Sequence, residues 1–143
     1  MGKIVAINIS TKRGIVKTPI DEGRLVEGFG IEGDAHGGDW HRQVSLLAQE
    51  SIEKMKALGI EDLTSGKFAE NITTEGIELH SLPVGTRLLA GDCILEVSQI
   101  GKECHQHCEI YRKVGMCIMP TEGIFARVIK GGTLREGDEI TTA

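Results

Sequence analysis

Short apolar runs, each closed by glycine or turn residues, set the pattern of this chain. Ile4, Val5, Ile7 and Ile9 form a β-branched run bounded by Gly2 and by Ser10-Thr11-Lys12-Arg13-Gly14, which predicts a first strand. Ile15 to Thr18 predicts a short second strand closed by Pro19, and Arg24-Leu25-Val26-Glu27 a third. His41 to Leu47 reads as another strand, with Val44 and Leu46 on one face. The period then changes. Over Gln49 to Leu58, Ile52, Met55 and Leu58 fall on one side, Glu50 and Lys54 are spaced to pair, and Gly59 supplies a stop, so this stretch is helix with Met55 as core filler. From Leu79 onward, strand and turn alternate. Cys93, Leu95 and Val97 share a face, which makes Cys93 a core thiol acting as a small hydrophobe. Gly137-Asp138-Glu139-Ile140 echoes Gly91-Asp92-Cys93-Ile94, each opening a strand after a turn, and Gly123 to Ile129 is a strand ended by Gly131-Gly132. Many short strands at roughly 8 to 12 residue spacing, with one helix, predict a mostly β (α+β) fold: a closed or nearly closed β-barrel with helical insertions. No linker divides it, so residues 1–143 read as one domain.

One stretch resists this pattern. Gly28 to Asp39 is too glycine-rich for helix and too long for a tight hairpin, and is predicted as a loop with specific backbone demands. Gly28, Gly30 and Gly33 match the dinucleotide fingerprint G-x-G-x-x-G, but the fingerprint needs a helix to begin there, and Asp34, Gly37, Gly38 and Asp39 are helix breakers. Asp34 and His36, polar residues among glycines, are candidates to line a site. Glu70 and Asn71 have two readings: site residues, or a buried Asn capping backbone groups.

Composition narrows the function. At 143 residues the chain buries enough surface to fold without disulfides or metal. A formal net charge of -5 argues against a nucleic-acid partner, because counterion release needs a basic face, and 3% aromatic residues provide no stacking platform. The N-terminal residues lack the pattern of a secretory signal and no apolar run approaches membrane-spanning length, so the expectation is a cytoplasmic protein without a membrane partner. In a reducing compartment its four cysteines are thiols, metal ligands or redox groups.

That chemistry concentrates in Gly101-Lys102-Glu103-Cys104-His105-Gln106-His107-Cys108, with Cys117 nearby. Positive neighbours lower a thiol's pKa; Lys102, His105 and His107 are available, with Arg112 and Lys113 further on, while Glu103 opposes them. Three readings stand side by side. Cys104, His105, His107, Cys108 and Cys117 are ligand types for zinc, though C-H-x-H-C lacks the paired C-x2-C knuckles of structural sites. Cys104 and Cys108 at helical spacing would share a face as a reversible redox pair. A reactive thiolate would instead carry sulfur as a persulfide or bind a soft metal directly.

Across nearly its whole length the sequence resembles the MOSC domain, named for the C-terminal domain of molybdenum cofactor sulfurases. The resemblance lies in Gly30 to His36, His41 to Leu47, Phe68-Ala69-Glu70-Asn71-Ile72, Gly101 to Cys108, Gly123 to Val128 with Gly131-Gly132, and Gly137-Asp138. It is most similar to the short bacterial members, which implies a β-barrel similar to the pyruvate kinase barrel domain. It also implies a cysteine, here Cys104, that carries sulfur or ligates molybdenum in a molybdopterin-type cofactor; Cys108 and Cys117 resemble extra thiols of the short members, Cys108 being a second candidate metal ligand. His105 and His107 would tune the thiolate, and His36 and Asn71 would line the pocket. Arg42, Lys102, Arg112, Arg127 and Lys130 are candidates for the cofactor phosphate, because guanidinium forks suit phosphate. Where larger members place Arg or Pro before the cysteine, this chain has Lys102-Glu103. The sulfurases' pyridoxal phosphate domain has no counterpart here, so sulfur is expected from a separate cysteine desulfurase or other donor. The recipient is expected to be a molybdenum enzyme or a cofactor biosynthesis protein. The resemblance thus suggests sulfurtransferase activity or a component of a cofactor-dependent reductase. The contrasting expectation is a non-catalytic domain whose Cys/His cluster holds zinc or senses oxidation.

Overall fold

The computed structural model describes residues 2–10, 18–35, 37–40, 42–57, 70–100 and 123–142, and the side chains of 54–57 fall outside that description. The first apolar run becomes β1 (Gly2–Ile9). β2 (Thr18–Ile20) and β3 (Glu22–Val26) follow, then β4 (Gly30–Ile31), β5 (Val44–Ala48) and helix α1 (Gln49–Ala57). After β6 (Ile72–Glu75) and a 3-10 turn at Leu79–Ser81 come β7 (Arg87–Ala90), β8 (Cys93–Ile100), β9 (Ile124–Lys130), β10 (Gly132–Arg135) and β11 (Glu139–Thr142).

Seven strands close into a barrel in the order β1-β11-β7-β8-β9-β5-β6, and β6 returns to β1. Closure leaves the barrel wall without unpaired edges. Every described pairing is antiparallel except β5 with β6. A parallel pair needs a crossover, and α1 lies in this one, packed on both strands it joins. Along β5 the barrel interior is apolar at Val44 and Leu46, which face Ala126, Ile124 and Ile72 within one buried cluster, while Ala48 stands opposite the buried Thr74.

The structure departs from the sequence expectations in four places. Pro19 does not close the second strand; it sits inside β2 opposite Asn8, whose own N–H is committed to Asn71 on the other side. That leaves a non-hydrogen-bonded position on an edge strand, where the missing donor of proline costs nothing. The stretch after Val26 does contain a tight hairpin: Val26 pairs with Gly30 and Leu25 with Ile31, and Phe29 N donates to Val26 O at 3.0 Å. No helix begins among these glycines, so the dinucleotide arrangement is absent from this stretch. Gly131-Gly132 is a corner rather than a stop, since β10 starts at Gly132 and pairs with β3. A Cβ at Gly131 would lie 2.5 Å from Leu25 O, so only glycine permits the approach. Finally, Ile72–Glu75, to which the sequence pattern assigns no element, is a barrel strand.

In α1, Glu50 Oε2 accepts from Gly76 N at 2.7 Å, tying the helix start to the end of β6, while Gln49 Nε2 donates to Glu53 Oε1 at 2.8 Å. The side chains of the expected partner Lys54 and of Met55, and residues Leu58 and Gly59, lie outside the described parts. Among the described residues no helix is long and apolar enough to cross a membrane.

Candidate functional site

Alternation along a strand sends every second side chain out of the barrel, and on β5 these are Ser45 and Leu47. Ser45 is only 5% exposed and Leu47 fully buried, so this wall is buried on both faces. Its outer face is organised by Asn71. Asn71 Oδ1 accepts from Ser45 N at 2.9 Å and from Ser45 Oγ at 3.1 Å, and Asn71 N donates to Ser45 Oγ at 2.9 Å. On the opposite side Asn71 Nδ2 donates to Asn8 O at 3.1 Å, and Asn8 N donates to Asn71 O at 2.6 Å. One side chain thus laces β5 to β1 just where β6 begins. It uses both ends of its amide, which also fixes the orientation of that amide. Thr73 Oγ1 donates to the buried Glu70 Oε2 at 3.0 Å and accepts from Asn8 Nδ2 at 3.4 Å.

The same row continues across β9 and β8, because Ser45 pairs with Phe125 and Phe125 with Gln99. Arg42 reaches over it. Its Nε donates to Gln99 Oε1 at 3.1 Å and its guanidinium carbon stands 5.2 Å from the centre of the Phe125 ring. One residue beyond Gln99, Ile100 pairs with Ile124, so the described part of β8 ends and that of β9 begins at the end of this row. The glycine-rich stretch is held to the neighbouring end of β1: Ser10 N donates to Asp34 Oδ1 at 3.0 Å and Ala35 N to Ser10 O at 2.8 Å. Gly30, with φ 128°, must be glycine, because a Cβ there would lie 2.5 Å from Gln43 O.

A cleft of about 350 Å³ lies beside the row, lined by residues including Asp39, Trp40, Gln43 and Arg127. Gln43 is 2% exposed, and its Oε1 accepts from Val128 N at 2.9 Å, in place of the strand that would otherwise pair there.

A model of the MOSC domain matches residues 32–141, three-quarters of the chain. The chain belongs to the MOSC family. Solved structures agree at the level of fold. A YuaD protein from Bacillus subtilis superposes with a TM-score of 0.79 at 20% identity, over 98% of this chain and 94% of that one. YiiM from Geobacillus stearothermophilus gives 0.75 at 22% identity, over 100% and 75%, and YiiM from Escherichia coli 0.73 at 18%, over 100% and 70%. Among curated protein sequences none matches the chain. MOSC membership links the chain to molybdenum-cofactor-related chemistry.

Within this MOSC chain, the predicted site residues Cys104, His105, His107, Cys108, Lys102, Arg112 and His36 lie outside the described residues, as does Cys117. Four predicted cofactor-site residues are described: Asn71 in the row, half-buried Arg42 above it and exposed Arg127 at the cleft lie on the outer side of one wall, and Lys130 is exposed at the end of β9. Asn71 takes the capping role that was one of its two readings. Glu70 is fully buried and Asp34 nearly so. Cys93 is the expected core thiol, 1% exposed. Burial pushes its pKa up to about 11, with Asp92 and Asp138 adding to the shift and Lys130 opposing it. Among the described residues no cluster of His, Cys, Asp or Glu is arranged to hold a metal. Gln43, Ser45 and Asn8 went unmarked in the sequence. Gln43 stands between Arg42 and Val44 in one of the family blocks, which was its one available signal.

Proposed function

We propose that this MOSC chain is an accessory protein of molybdenum cofactor metabolism, binding a molybdopterin-type cofactor and using Cys104 to present sulfur to it or to ligate its metal. The observation that carries the reading is Arg42. Its Nε is spent on Gln99, yet its two Nη groups make no hydrogen bond among the described residues, so four N–H donors remain in a fixed plane. Half-buried and braced on Phe125, this fork suits a phosphate, and it stands at the point where the chain departs toward Cys104. The donor set therefore fits the anionic end of such a cofactor.

When bound, the cofactor's molybdenum supplies atom-transfer chemistry. The chain's part is to hold and to deliver. Arg42 grips phosphate, the Asn71 row keeps the wall behind it rigid, His36 lines the pocket, and His105 and His107 favour the thiolate of Cys104. As a carrier, Cys104 thiolate attacks the terminal sulfur of a donor persulfide, and the donor departs as its own thiolate, so one sulfur atom moves without any external oxidant. A separate cysteine desulfurase or another persulfide donor supplies that sulfur, and a molybdenum enzyme or a cofactor biosynthesis protein receives it.

Equilibrium binding of the isolated cofactor, followed by pterin retained on the protein, tests this reading. Arg42→Ala is expected to weaken retention about tenfold, the loss of a charge-assisted pair of hydrogen bonds. No retention by the wild type, or equal retention by the variant, would contradict it.

A further inference from the structure

The cleft beside the row has a composition that the proposed role does not use. Glu27 and Asp39 carry negative charge on its rim and Arg127 positive charge. Among the described residues none of the three makes a salt bridge, and none has a side-chain hydrogen bond. Opposite charges thus line one small space without neutralising each other. Inside, Gln43 is more than nine-tenths buried, and its amide orientation is not arbitrary: Val128 N donates to Oε1, so the NH2 group is the remaining end. That Nε2 has no hydrogen-bond partner among the described residues, and the side chain lines the cleft. That amide nitrogen is not sealed from solvent, so the donor it offers is open to the cleft. Trp40 contributes a flat apolar wall.

A simple anion does not suit this set, since two carboxylates outnumber one guanidinium. A simple cation leaves Arg127 and the Gln43 amide unanswered. A ligand carrying both signs answers all of them. We infer that the cleft binds a small zwitterion of the free α-amino acid class. Its carboxylate meets Arg127 and Gln43 Nε2, its ammonium meets Asp39 and Glu27, and an apolar side chain rests on Trp40. The volume of about 350 Å³ stands at the lower end of ligand pockets, which fits a molecule of that size. This inference goes beyond the cofactor reading and does not depend on it, because binding is non-covalent and requires neither Cys104 nor a cofactor.

Trp40 is the protein's sole tryptophan, so its fluorescence reports on the cleft directly. The full chain is titrated with L-alanine, L-methionine and L-leucine, and with the two single-charge relatives of leucine, isopentylamine and isocaproate; calorimetry on the same samples confirms stoichiometry. Saturable one-to-one binding of at least one amino acid is expected, with isopentylamine and isocaproate each at least about tenfold weaker than leucine. Arg127→Ala and Asp39→Asn, both at exposed positions, are each expected to weaken the amino acid about tenfold, while Arg24→Ala, on β3 and outside the cleft lining, leaves it unchanged. Failure of all three amino acids to bind would overturn the inference. So would isocaproate binding as tightly as leucine, or indifference to Arg127→Ala. Because no sulfur transfer is measured, such a failure leaves the role of Cys104 to its own test.

Discussion

The two faces of the wall formed by β5 and β6 are buried alike but built differently. Inside the barrel, Val44, Leu46, Ala48 and Ile72 belong to an apolar cluster whose one polar neighbour on β6 is the buried Thr74 opposite Ala48; outside, Ser45, Asn71, Asn8, Thr73 and Glu70 are equally hidden and are joined by hydrogen bonds. Apolar packing tolerates small shifts, whereas a buried polar group out of place loses a bond that water cannot replace. The inner face therefore supplies stability, and the outer face supplies registration. It fixes β1, β5 and β6 relative to one another beside the row that ends at Ile100 and Ile124.

The comparison is broken most strongly from the inside. Leu46→Ala, at a fully buried position, is expected to cost about 2–5 kcal/mol in urea unfolding. A loss under about 1 kcal/mol would mean that the inner face is loosely packed. Asn71→Ala is expected to cost about 3 kcal/mol, since Ser45 N and Asn8 O lose their bonds to it while no large cavity opens. Its signature should differ from that of Leu46→Ala: Cys104 reactivity toward an alkylating reagent should change in Asn71→Ala under conditions where the fold persists.

The inner face also carries a titration. Cys93 has its pKa raised from 9.0 to about 11, so the folded state keeps a proton that the unfolded state has released across that interval. Its stabilising contribution is complete below pH 9.0 and is lost as pH rises toward about 11, amounting to at most about 2–3 kcal/mol. Unfolding free energies across this range should fall more steeply for wild type than for Cys93→Ala, and parallel slopes would contradict the assignment. Smallest is Arg42→Ala. Removing one half-buried hydrogen bond and a cation–π contact is expected to cost no more than about 1 kcal/mol, although the same change weakens cofactor retention. A large stability loss there would recast Arg42 as structural.

Much of the barrel was legible in the sequence because its strands alternate. β5, β8 and β9 show their inner faces as Val44 and Leu46, Leu95 and Val97, Ala126 and Val128, while β1 showed as a β-branched run whose Ile4 and Ile7 both turn inward across a register shift. β6 escaped notice because Ile72-Thr73-Thr74-Glu75 has a single apolar residue, its threonines being buried among partners that are distant in sequence. The corner at Gly131-Gly132 looked like a terminus for a similar reason: the approach of Leu25 that demands glycine is invisible along the chain. The candidate site was legible as chemistry in its Cys/His segment and as family blocks. The role of Asn71 was not, because the choice between lining a pocket and lacing strands rests on Ser45 and Asn8, 26 and 63 residues away. Beyond its place in a family block, Gln43 had no periodic or compositional signal, and its burial beside Val128 is what singles it out.

The central claim is that Cys104 handles sulfur. It is met most directly by intact-mass analysis of wild type and Cys104→Ser after exposure to a cysteine desulfurase with free cysteine. The account predicts that wild type gains one sulfur atom, removable by reductant, and that the variant gains none. Equal gain by both proteins, or gain by neither, would contradict it, and stoichiometric zinc retained by the wild type in the second case would turn attention to the Cys/His segment as a metal site.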